Sequence, residues 1–419
     1  MKICLVTAFP PSRRGLNEYG YHIARELQQD PLLSLTILAD ELEDGASTRE
    51  LDDFNVQRPW KFNSLANPVR LLGAIRELQP HVVWFNLLFS SFGNQPADAF
   101  AGLAIPALTR LAGFYTHVTL HHLMENIDLN DAGVRFPRLY RRAGAVATRM
   151  LLMANSVSVL LPAYRRTLME RYHRENVHFR AHGIFSARPE YPNFSLRGNP
   201  GHRILAFGKW GTYKRLEVLL EAFTTEVVKD VPNVRLVIAG PDHPATPGYV
   251  ESVAQHYRGH PNIEFIGYVE EDAIADLFRT ATVLVMPYTS ATGASGVAHL
   301  ACQYGVPIIS ADIPDFRQMA HDEDLALEFH ETGNPSSLAQ ELISLLNDPE
   351  RQREMAEQNF SAALRMTMPQ IIRQYMRSFD LHQRYKAMQP FSRFRRLPVW
   401  VPSRSALFRA AVPRWEAWR

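Results

Sequence analysis

The sequence has few of the features that would place a protein in an oxidising compartment or inside a membrane. Its 419 residues include only two cysteines, Cys4 and Cys302, both in apolar contexts. Two such cysteines exclude a disulfide framework and a cysteine-based zinc site. No run of about 18 apolar residues is present, so we expect no membrane-spanning helix. The N-terminal MKICLVTAF starts a strand directly, unlike a signal peptide. We therefore expect a cytoplasmic protein.

The small net charge of +2 conceals an uneven distribution. Residues 384–419 contain nine Lys/Arg and one acid, so this tail carries +8 and the rest of the chain −6. The tail also holds seven aromatic residues. Basic residues interleaved with aromatics suit an anionic membrane surface, which would make the protein peripheral on the inner membrane face. Alternatively, the aromatics pack on the protein and the arginines stay solvated. We expect no nucleic-acid partner.

Apolar runs alternate with amphipathic stretches along the chain. Stretches such as 19–28, 67–78 and 136–153 have helical periodicity. The runs predicted as strands are 2–9, 34–39, 81–88, 117–123, 157–162, 177–182, 204–207, 235–240, 263–268, 283–288 and 307–310. Strands that are apolar on both faces are typical of parallel sheets covered by helices on both sides.

A Pro-, Gly- and Asn-rich stretch at 186–202 separates two α/β halves. The length suits two domains of roughly 150–200 residues. The predicted organisation is a first Rossmann-like domain, a linker, a second Rossmann-like domain, a crossover helix and the basic tail, at 1–185, 186–202, 203–365, 366–383 and 384–419. Two doubly wound domains that face each other form a cleft, and ligands of such sheets bind beyond the carboxyl ends of the strands.

The most informative segment is ILAFGKWGTYKR (204–215), a short strand followed by a turn with two lysines. Gly208 opens the turn, and Lys209 and Lys214 lie beside the start of a helix. Cations next to free backbone N–H groups and a positive helix terminus can bind a diphosphate. A strand followed by Gly-Lys is also common in ordinary surface turns. We expect both lysines to face solvent within the cleft.

A second segment of small residues follows the strand VLVMPY. It comprises Gly293, Ala294, Ser295 and Gly296, and a helix begins at Val297. Small residues let a ligand approach the backbone, and N–H groups at the helix start can bind phosphate oxygens. The alternative is a tight strand-to-helix turn.

Histidines and a glycine lie at the ends of strands in the first half. His121 and His122 follow the strand HVTL, His182 precedes Gly183, and Gly15 lies in the loop after the first strand. Each has a structural alternative, because strand-end histidines often only pack in the core. Their common position at the predicted cleft makes them candidate site residues.

These residues carry a resemblance to the retaining GT-B glycosyltransferases of the GT4 family, over roughly residues 1–380. Gly208, Lys209 and Lys214 resemble the family's diphosphate contacts, and His121 in VTLH resembles its histidine lining the sugar pocket. Further matches are Gly15 in the glycine-rich loop, Phe265, Gly267 and Val269 near the donor base, and Gly305, Val306 and Pro307 after the donor-site helix.

The sequence departs from this family at its E-x7-E acids. The two positions, counted back from Gly305, are Thr292 and Leu300. The resemblance implies that the first acid holds sugar hydroxyls and the second the ribose. Thr292 can still bond a hydroxyl, and Ser295 or His299 can compensate, but a neutral contact is weaker than a charge-assisted one.

The resemblance implies a hexosyltransferase-type enzyme (EC 2.4) of glycan biosynthesis. It would transfer a sugar with retention from a nucleotide-diphosphate donor to a glycan, lipid-linked or small-molecule acceptor, without a metal or other cofactor. Lys209, Lys214 and His121 would be catalytic, and the donor would contact Gly15, Gly208, Val269, Thr292, Gly293, Ser295, Gly296 and Val297. The donor domain would be the second half and the acceptor domain the first.

The acceptor side has its own sequence feature and the overall function has alternatives. An arginine-rich amphipathic stretch at 134–151 could meet anionic lipid headgroups or an anionic acceptor, or be an ordinary solvated helix. The missing acids leave open a catalytically silent protein that binds a sugar nucleotide. A sugar-nucleotide epimerase on the same fold is a further alternative, although it would need acidic residues in the cleft whose carboxylates abstract a proton, and none is evident.

Overall fold

The computed structural model describes residues 1–42, 53–126, 137–192, 194, 202–243, 246–290 and 293–394. The chain divides into two compact units, Met1–Ile372 and Arg373–Arg419. The first unit contains two parallel sheets. The helix Met368–Phe394 begins in the first unit and continues into the second. The predicted tail is described only as far as residue 394. The predicted domain boundaries stay predictions.

The first sheet is parallel and has seven strands in the order β3-β2-β1-β4-β5-β6-β7 among the described residues. Its strands are β1 Lys2–Val6, β2 Ser34–Asp40, β3 Val56–Trp60, β4 Val82–Leu87, β5 Thr116–Leu120, β6 Ser156–Val159 and β7 Val177–Phe179. β1 pairs with both β2 and β4, so the strand order reverses beside it. Loops at such a reversal line the ligand crevice of α/β sheets. Gly15 lies in the loop after β1.

The second sheet is also parallel and has the described order β10-β9-β8-β11-β12-β13. Its strands are β8 Arg203–Phe207, β9 Arg235–Ala239, β10 Ile263–Gly267, β11 Val283–Met286, β12 Ile308–Ala311 and β13 Leu327–His330. β8 pairs with β9 and β11, so the reversal lies between β8 and β11. The two sequence segments predicted to bind phosphate follow these two strands. The topology therefore brings them to one crevice.

Helices connect the strands, as parallel pairing requires. They are α1 Asn17–Leu27, α2 Asn67–Leu78, α3 Pro96–Leu103, α4 Ile105–Leu111, α5 Pro137–Leu151, α6 Pro162–Tyr172, α7 Leu216–Ala222, α8 Val228–Asp230, α9 Tyr249–Ala254, α10 Glu271–Arg279, α11 Gly296–Gln303, α12 Pro314–Glu323, α13 Pro335–Leu346, α14 Pro349–Arg365 and α15 Met368–Phe394. Several begin with proline, whose fixed φ suits the first helical turn and whose missing N–H costs nothing there.

The two sheets are buried on both faces by these helices. β4 (VVWFNL) and β11 (VLVM) are buried at every position. Trp84 is fully buried and donates its indole N–H to Thr119 Oγ1 over 2.9 Å, so its one polar group is satisfied. Burying a large apolar side chain stabilises a fold by about 2–3 kcal/mol. The predicted doubly wound α/β fold is confirmed.

Two strands were not predicted, and both lie at sheet edges. β3 (VQRPW) contains Gln, Arg and Pro, and β13 (LEFH) contains Glu and His. An edge strand needs partners on one side only and tolerates polar residues and proline. These sequences therefore lack the continuous apolar run by which the central strands are recognised.

Candidate functional site

The turn after β8 places a lysine against a glycine. Gly208 has φ +142°, and a Cβ added there would lie 2.6 Å from Lys214 Nζ. Only glycine suits this backbone conformation and leaves room for the ammonium group. Lys214 ends a 3-10 turn, Thr212–Lys214, just before α7. The predicted association of Gly208 with Lys214 is therefore a direct contact.

Lys214 is buried, which corrects the expectation that it faces solvent. It is 7% exposed, and its Nζ lies 4.8 Å from the ring centroid of Tyr288, 5.6 Å from that of Trp210 and 6.0 Å from that of Tyr213. No carboxylate within the described ranges forms an ion pair with it. Burial, reinforced by the positive charge of Lys209, lowers the pKa of Lys214 to about 7. Lys209 itself is half-buried.

A hydroxyl group also lacks a partner beside this lysine. Tyr288 Oη is buried and has no hydrogen-bond partner among the described residues. It would lie 3.8 Å from a Cβ on Gly208. Burial raises the pKa of Tyr288, so the phenol stays protonated and can donate a hydrogen bond. Lys214 and Tyr288 together offer two hydrogen-bond donors and no negative charge, which suits an anionic ligand.

The start of α11 lies between this lysine and the histidines of the first sheet. Ser295 caps the helix, its Oγ accepting a hydrogen bond from the Ala298 N–H over 3.2 Å. Val297 Cγ2 lies 3.6 Å from a Cβ placed on Gly208. Gly293 approaches the other sheet so closely that its Cβ would be 2.5 Å from the His121 carbonyl oxygen. Four of the predicted donor residues are thus brought together, while Thr292 lies outside the described residues.

His121 lies at the carboxyl end of β5 and is 7% exposed. Its Nε2 lies 2.7 Å from the Asn86 amide oxygen, which only accepts, so Nε2 carries the proton and Nδ1 keeps a lone pair. Burial, together with the neighbouring His182 and His122, lowers the pKa of His121 well below its ordinary value. His121 is therefore a neutral ring that can accept a hydrogen bond from a hydroxyl group.

Tyr19 joins His121 to His182. Its ring lies 4.7 Å from that of His121 and 4.8 Å from that of His182, and its hydroxyl donates to the His182 carbonyl oxygen over 2.9 Å. Tyr19 belongs to α1, directly after the loop that contains Gly15. The loop after β1, the end of β5 and the segment after β7 are therefore held as one packed group.

His299 and Glu323 form a buried pair that the sequence did not reveal. His299 Nε2 lies 2.8 Å from Glu323 Oε2, and its Nδ1 lies 2.7 Å from the Ser295 carbonyl oxygen. Burial alone would lower the pKa of His299, but the Glu323 carboxylate outweighs it and raises the pKa. His299 also stacks on His182 at 5.0 Å. The sequence signal was weak, since the two residues lie on different helices.

The predicted residues at the rim are less closely associated. Gly15 is exposed, and a Cβ there would lie 3.2 Å from Leu88. Leu16, which replaces the family's second glycine, takes φ +71°. The Arg13 guanidinium lies 5.5 Å from the ring centroid of Tyr268, the neighbour of half-buried Val269. The loops that carry Gly15 and Val269 thus meet through Arg13 and Tyr268.

Within the described ranges, no group of three or more His, Cys, Asp or Glu side chains is arranged to hold a metal ion. The same part of the chain contains no helix long and apolar enough to cross a membrane.

Part of the chain is similar to a known protein family. Residues 201–348 match the family model described as glycosyl transferases group 1. The matched segment is about a third of the chain and is similar to a glycosyl transferase group 1 domain. The domain contains β8, β11 and α11, and hence both lysines and the Ser295 cap. The resemblance predicted from these residues is confirmed. A sequence comparison with curated proteins finds no match.

Solved structures share the fold of this chain, with its two parallel-sheet α/β domains, at low sequence identity. A sucrose-phosphate synthase from Thermosynechococcus elongatus superposes with a TM-score of 0.73 at 15% identity, over 92% of this chain and 100% of that one. Anabaena HepE in complex with UDP superposes with a TM-score of 0.67 at 14% identity, over 91% and 100% of the chains. HepE in complex with UDP-glucose also gives 0.67, at 15% identity over 91% and 99%. The GT-B fold is confirmed.

Proposed function

We propose that this protein transfers a sugar from a nucleotide-diphosphate donor, with retention at the anomeric carbon and without a metal ion. The observation that carries the proposal is Lys214, a buried ammonium group without a carboxylate partner among the described residues, beside the capped start of α11. A cation in such surroundings is stabilised by an anionic ligand. The family match and the HepE complexes with UDP and UDP-glucose support a nucleotide sugar as that ligand.

The proposed chemistry follows from the charges that develop during transfer. Negative charge grows on the leaving diphosphate, and Lys209, Lys214 and the N–H groups at the start of α11 lie where they would stabilise it. Preorganised stabilisation of this kind is often the largest catalytic term. His121, neutral and with Nδ1 as an acceptor, would orient a sugar hydroxyl. Gly15 and Val269 would contact the donor from the rim.

The donor proposal is tested by calorimetry and by turnover. We expect UDP and UDP-glucose to bind, and replacement of Lys214 by alanine to lower turnover at least about 100-fold because it removes about 3 kcal/mol of charge stabilisation. Lys229→Ala is the matched control, since Lys229 is exposed on α8. Equal activity of Lys214→Ala and Lys229→Ala would exclude the proposed role. If neither ligand binds, GDP- and ADP-sugars are tested next.

A catalytically silent sugar-nucleotide binder is the second candidate, because Thr292 and Leu300 occupy the positions where relatives are expected to carry acids. The two candidates differ in one measurement. An enzyme hydrolyses or transfers the donor slowly even without its natural acceptor, whereas a silent protein binds the donor and returns it unchanged. Product analysis of UDP-glucose incubated with a glycan and lipid-linked acceptor mixture distinguishes them.

The acceptor side of the protein is proposed to receive an anionic or membrane-presented molecule. On α5, Arg138, Arg141 and Arg142 are exposed, and Leu139 is 63% exposed. Exposed arginines beside an exposed leucine suit an anionic surface. Arg135 and the part of the basic tail after residue 394 lie outside the described residues. Co-sedimentation of wild type with phosphatidylglycerol vesicles, compared with a variant in which the three arginines are glutamine, tests this proposal.

A further inference from the structure

A small depression lies next to the predicted phosphate site, on the other side of the first turn of α11. It is shallow and is lined by His182, Gly183, Ile184, Phe185, Gly296, His299 and Leu300. Gly296 and Val297, which are consecutive, face its two sides: a Cβ on Gly296 would lie 3.4 Å from His182 Nε2, and Val297 Cγ2 lies beside Gly208. His182 therefore contacts one helix residue, Gly296, and the site of Lys214 adjoins the next residue, Val297.

The protonation of His182 is fixed by its backbone contact. Its Nδ1 lies 2.9 Å from the Gly183 carbonyl oxygen. A carbonyl oxygen only accepts, so Nδ1 carries the proton, and the neutral ring presents a lone pair at Nε2. No hydrogen bond to Nε2 is formed within the described part of the chain. The ring is 8% exposed, and an acceptor so buried gains from a donor that reaches it.

The surroundings of His182 keep the ring neutral and in place. Burial, together with the charge of His299, lowers the pKa of His182 to about 3. The stacking on His299 and the hydrogen bond from Tyr19 to the His182 carbonyl hold the ring from two sides. Both ring nitrogens of His299 are bonded elsewhere, Nε2 to Glu323 and Nδ1 to the Ser295 carbonyl oxygen, so neither donates to His182. His182 is thus a fixed acceptor at neutral pH.

The other residues of the depression cannot replace this acceptor. Leu300 and Ile184 are apolar, and both nitrogens of His299 are already bonded. A nucleotide sugar carries hydroxyl groups on both sides of its diphosphate. A group adjacent to the phosphate site therefore meets hydroxyls, and a hydroxyl is a donor that suits a neutral imidazole nitrogen.

We propose that His182 is a specificity-determining residue, whose Nε2 accepts a hydrogen bond from a hydroxyl group of the bound nucleotide sugar. This inference rests on the proposed function. It assigns to the segment after β7 a contact with the donor, although the segment lies outside the matched domain of residues 201–348. The hydroxyl belongs either to the ribose or to the transferred sugar, and the test separates these two sources.

Two substitutions separate the two ring nitrogens. His182→Asn places an amide where Nδ1 lies, so it can still bond the Gly183 carbonyl but loses the acceptor at Nε2. His182→Gln extends an amide oxygen to the position of Nε2 and loses the Gly183 contact. Affinity for UDP and for UDP-glucose is measured by calorimetry at pH 7, and thermal unfolding is recorded for each variant.

We expect His182→Asn to bind about tenfold more weakly than wild type and His182→Gln to remain within about threefold of it. A loss with both ligands assigns the hydroxyl to the ribose, and a loss with UDP-glucose alone assigns it to the sugar. The inference would be overturned if His182→Gln bound more weakly than His182→Asn, or if the two variants bound with equal affinity. Equal unfolding temperatures of the two variants would also overturn it, because only His182→Gln is expected to lose the Gly183 contact. If wild type binds neither ligand, the proposed donor is wrong before the variants are compared.

Discussion

Alkaline pH should weaken nucleotide binding because Lys214 loses its charge. The free protein holds this lysine with a pKa of about 7, lowered by burial and by Lys209. A bound diphosphate would return the pKa toward its ordinary value, so binding takes up a proton above pH 7. Between pH 7.5 and pH 9, linkage then predicts that UDP affinity falls about 25-fold. Calorimetry at pH 8.5 in two buffers of different protonation enthalpy should show uptake of about one proton.

The other groups that face Lys214 do not produce this effect. The pKa of His243 is lowered by burial and by Lys214 and Lys209, and the pKa values of Tyr213 and Tyr288 are raised by burial. None of these three therefore titrates in the window, and the terminal phosphate of UDP is already ionised above pH 7.5. Lys214→Arg, which stays charged, should flatten the pH profile. Constant affinity without proton uptake in wild type would refute the reasoning.

Four further predictions concern stability, turnover and the tail. Lys214→Met should raise the unfolding temperature at pH 6. The lowered pKa of Lys214 means that the folded state disfavours the charged side chain by up to about 5 kcal/mol below pH 7, and this penalty fades as pH rises toward 10.5. A lower unfolding temperature of the variant would contradict this. Lys209→Ala should lower turnover at least about 100-fold at unchanged unfolding temperature. Gly240→Ala should prevent folding or lower the unfolding temperature strongly, because its Cβ would lie 1.8 Å from the Gly208 carbonyl oxygen at φ +115°. The matched control for Gly240→Ala is Gly73→Ala on α2, whose Cβ would meet nothing within 4 Å and which should stabilise by about 0.5–1 kcal/mol. Removal of residues 395–419 should abolish co-sedimentation with anionic vesicles while activity on a soluble acceptor persists, and unfolding of this variant would show that the tail is structural.

The sequence predicted the central strands and the position of the site, because both depend on local patterns. A buried parallel strand such as β4 must be apolar throughout, and a tight turn beside an ammonium group requires a glycine such as Gly208. These requirements are visible without any knowledge of long-range contacts. The edge strands β3 and β13 escaped prediction, since an edge tolerates polar residues.

Burial and pairing across the fold could not be predicted from the sequence. Lys214 follows a polar turn, yet it is buried beside three aromatic rings, one of which comes from the loop after β11. Likewise, His299 and Glu323 are 24 residues apart on separate helices, and neither belongs to a motif. Their contact depends on how α11 packs near α12. Such side-chain relations are decided by tertiary structure and leave no period or spacing in the chain.

The unpaired charge of Lys214 bears on how the reaction cycle would end. Sugar transfer leaves a nucleoside diphosphate that carries one more negative charge than the donor. A site with two lysines and no opposing carboxylate among its described neighbours holds that product more firmly than the donor. Departure of the nucleoside diphosphate would then limit turnover more than the transfer step does, and accumulating product would compete with fresh donor. Loss of the Lys214 proton would ease that departure, so the same titration that weakens donor binding would hasten the next cycle.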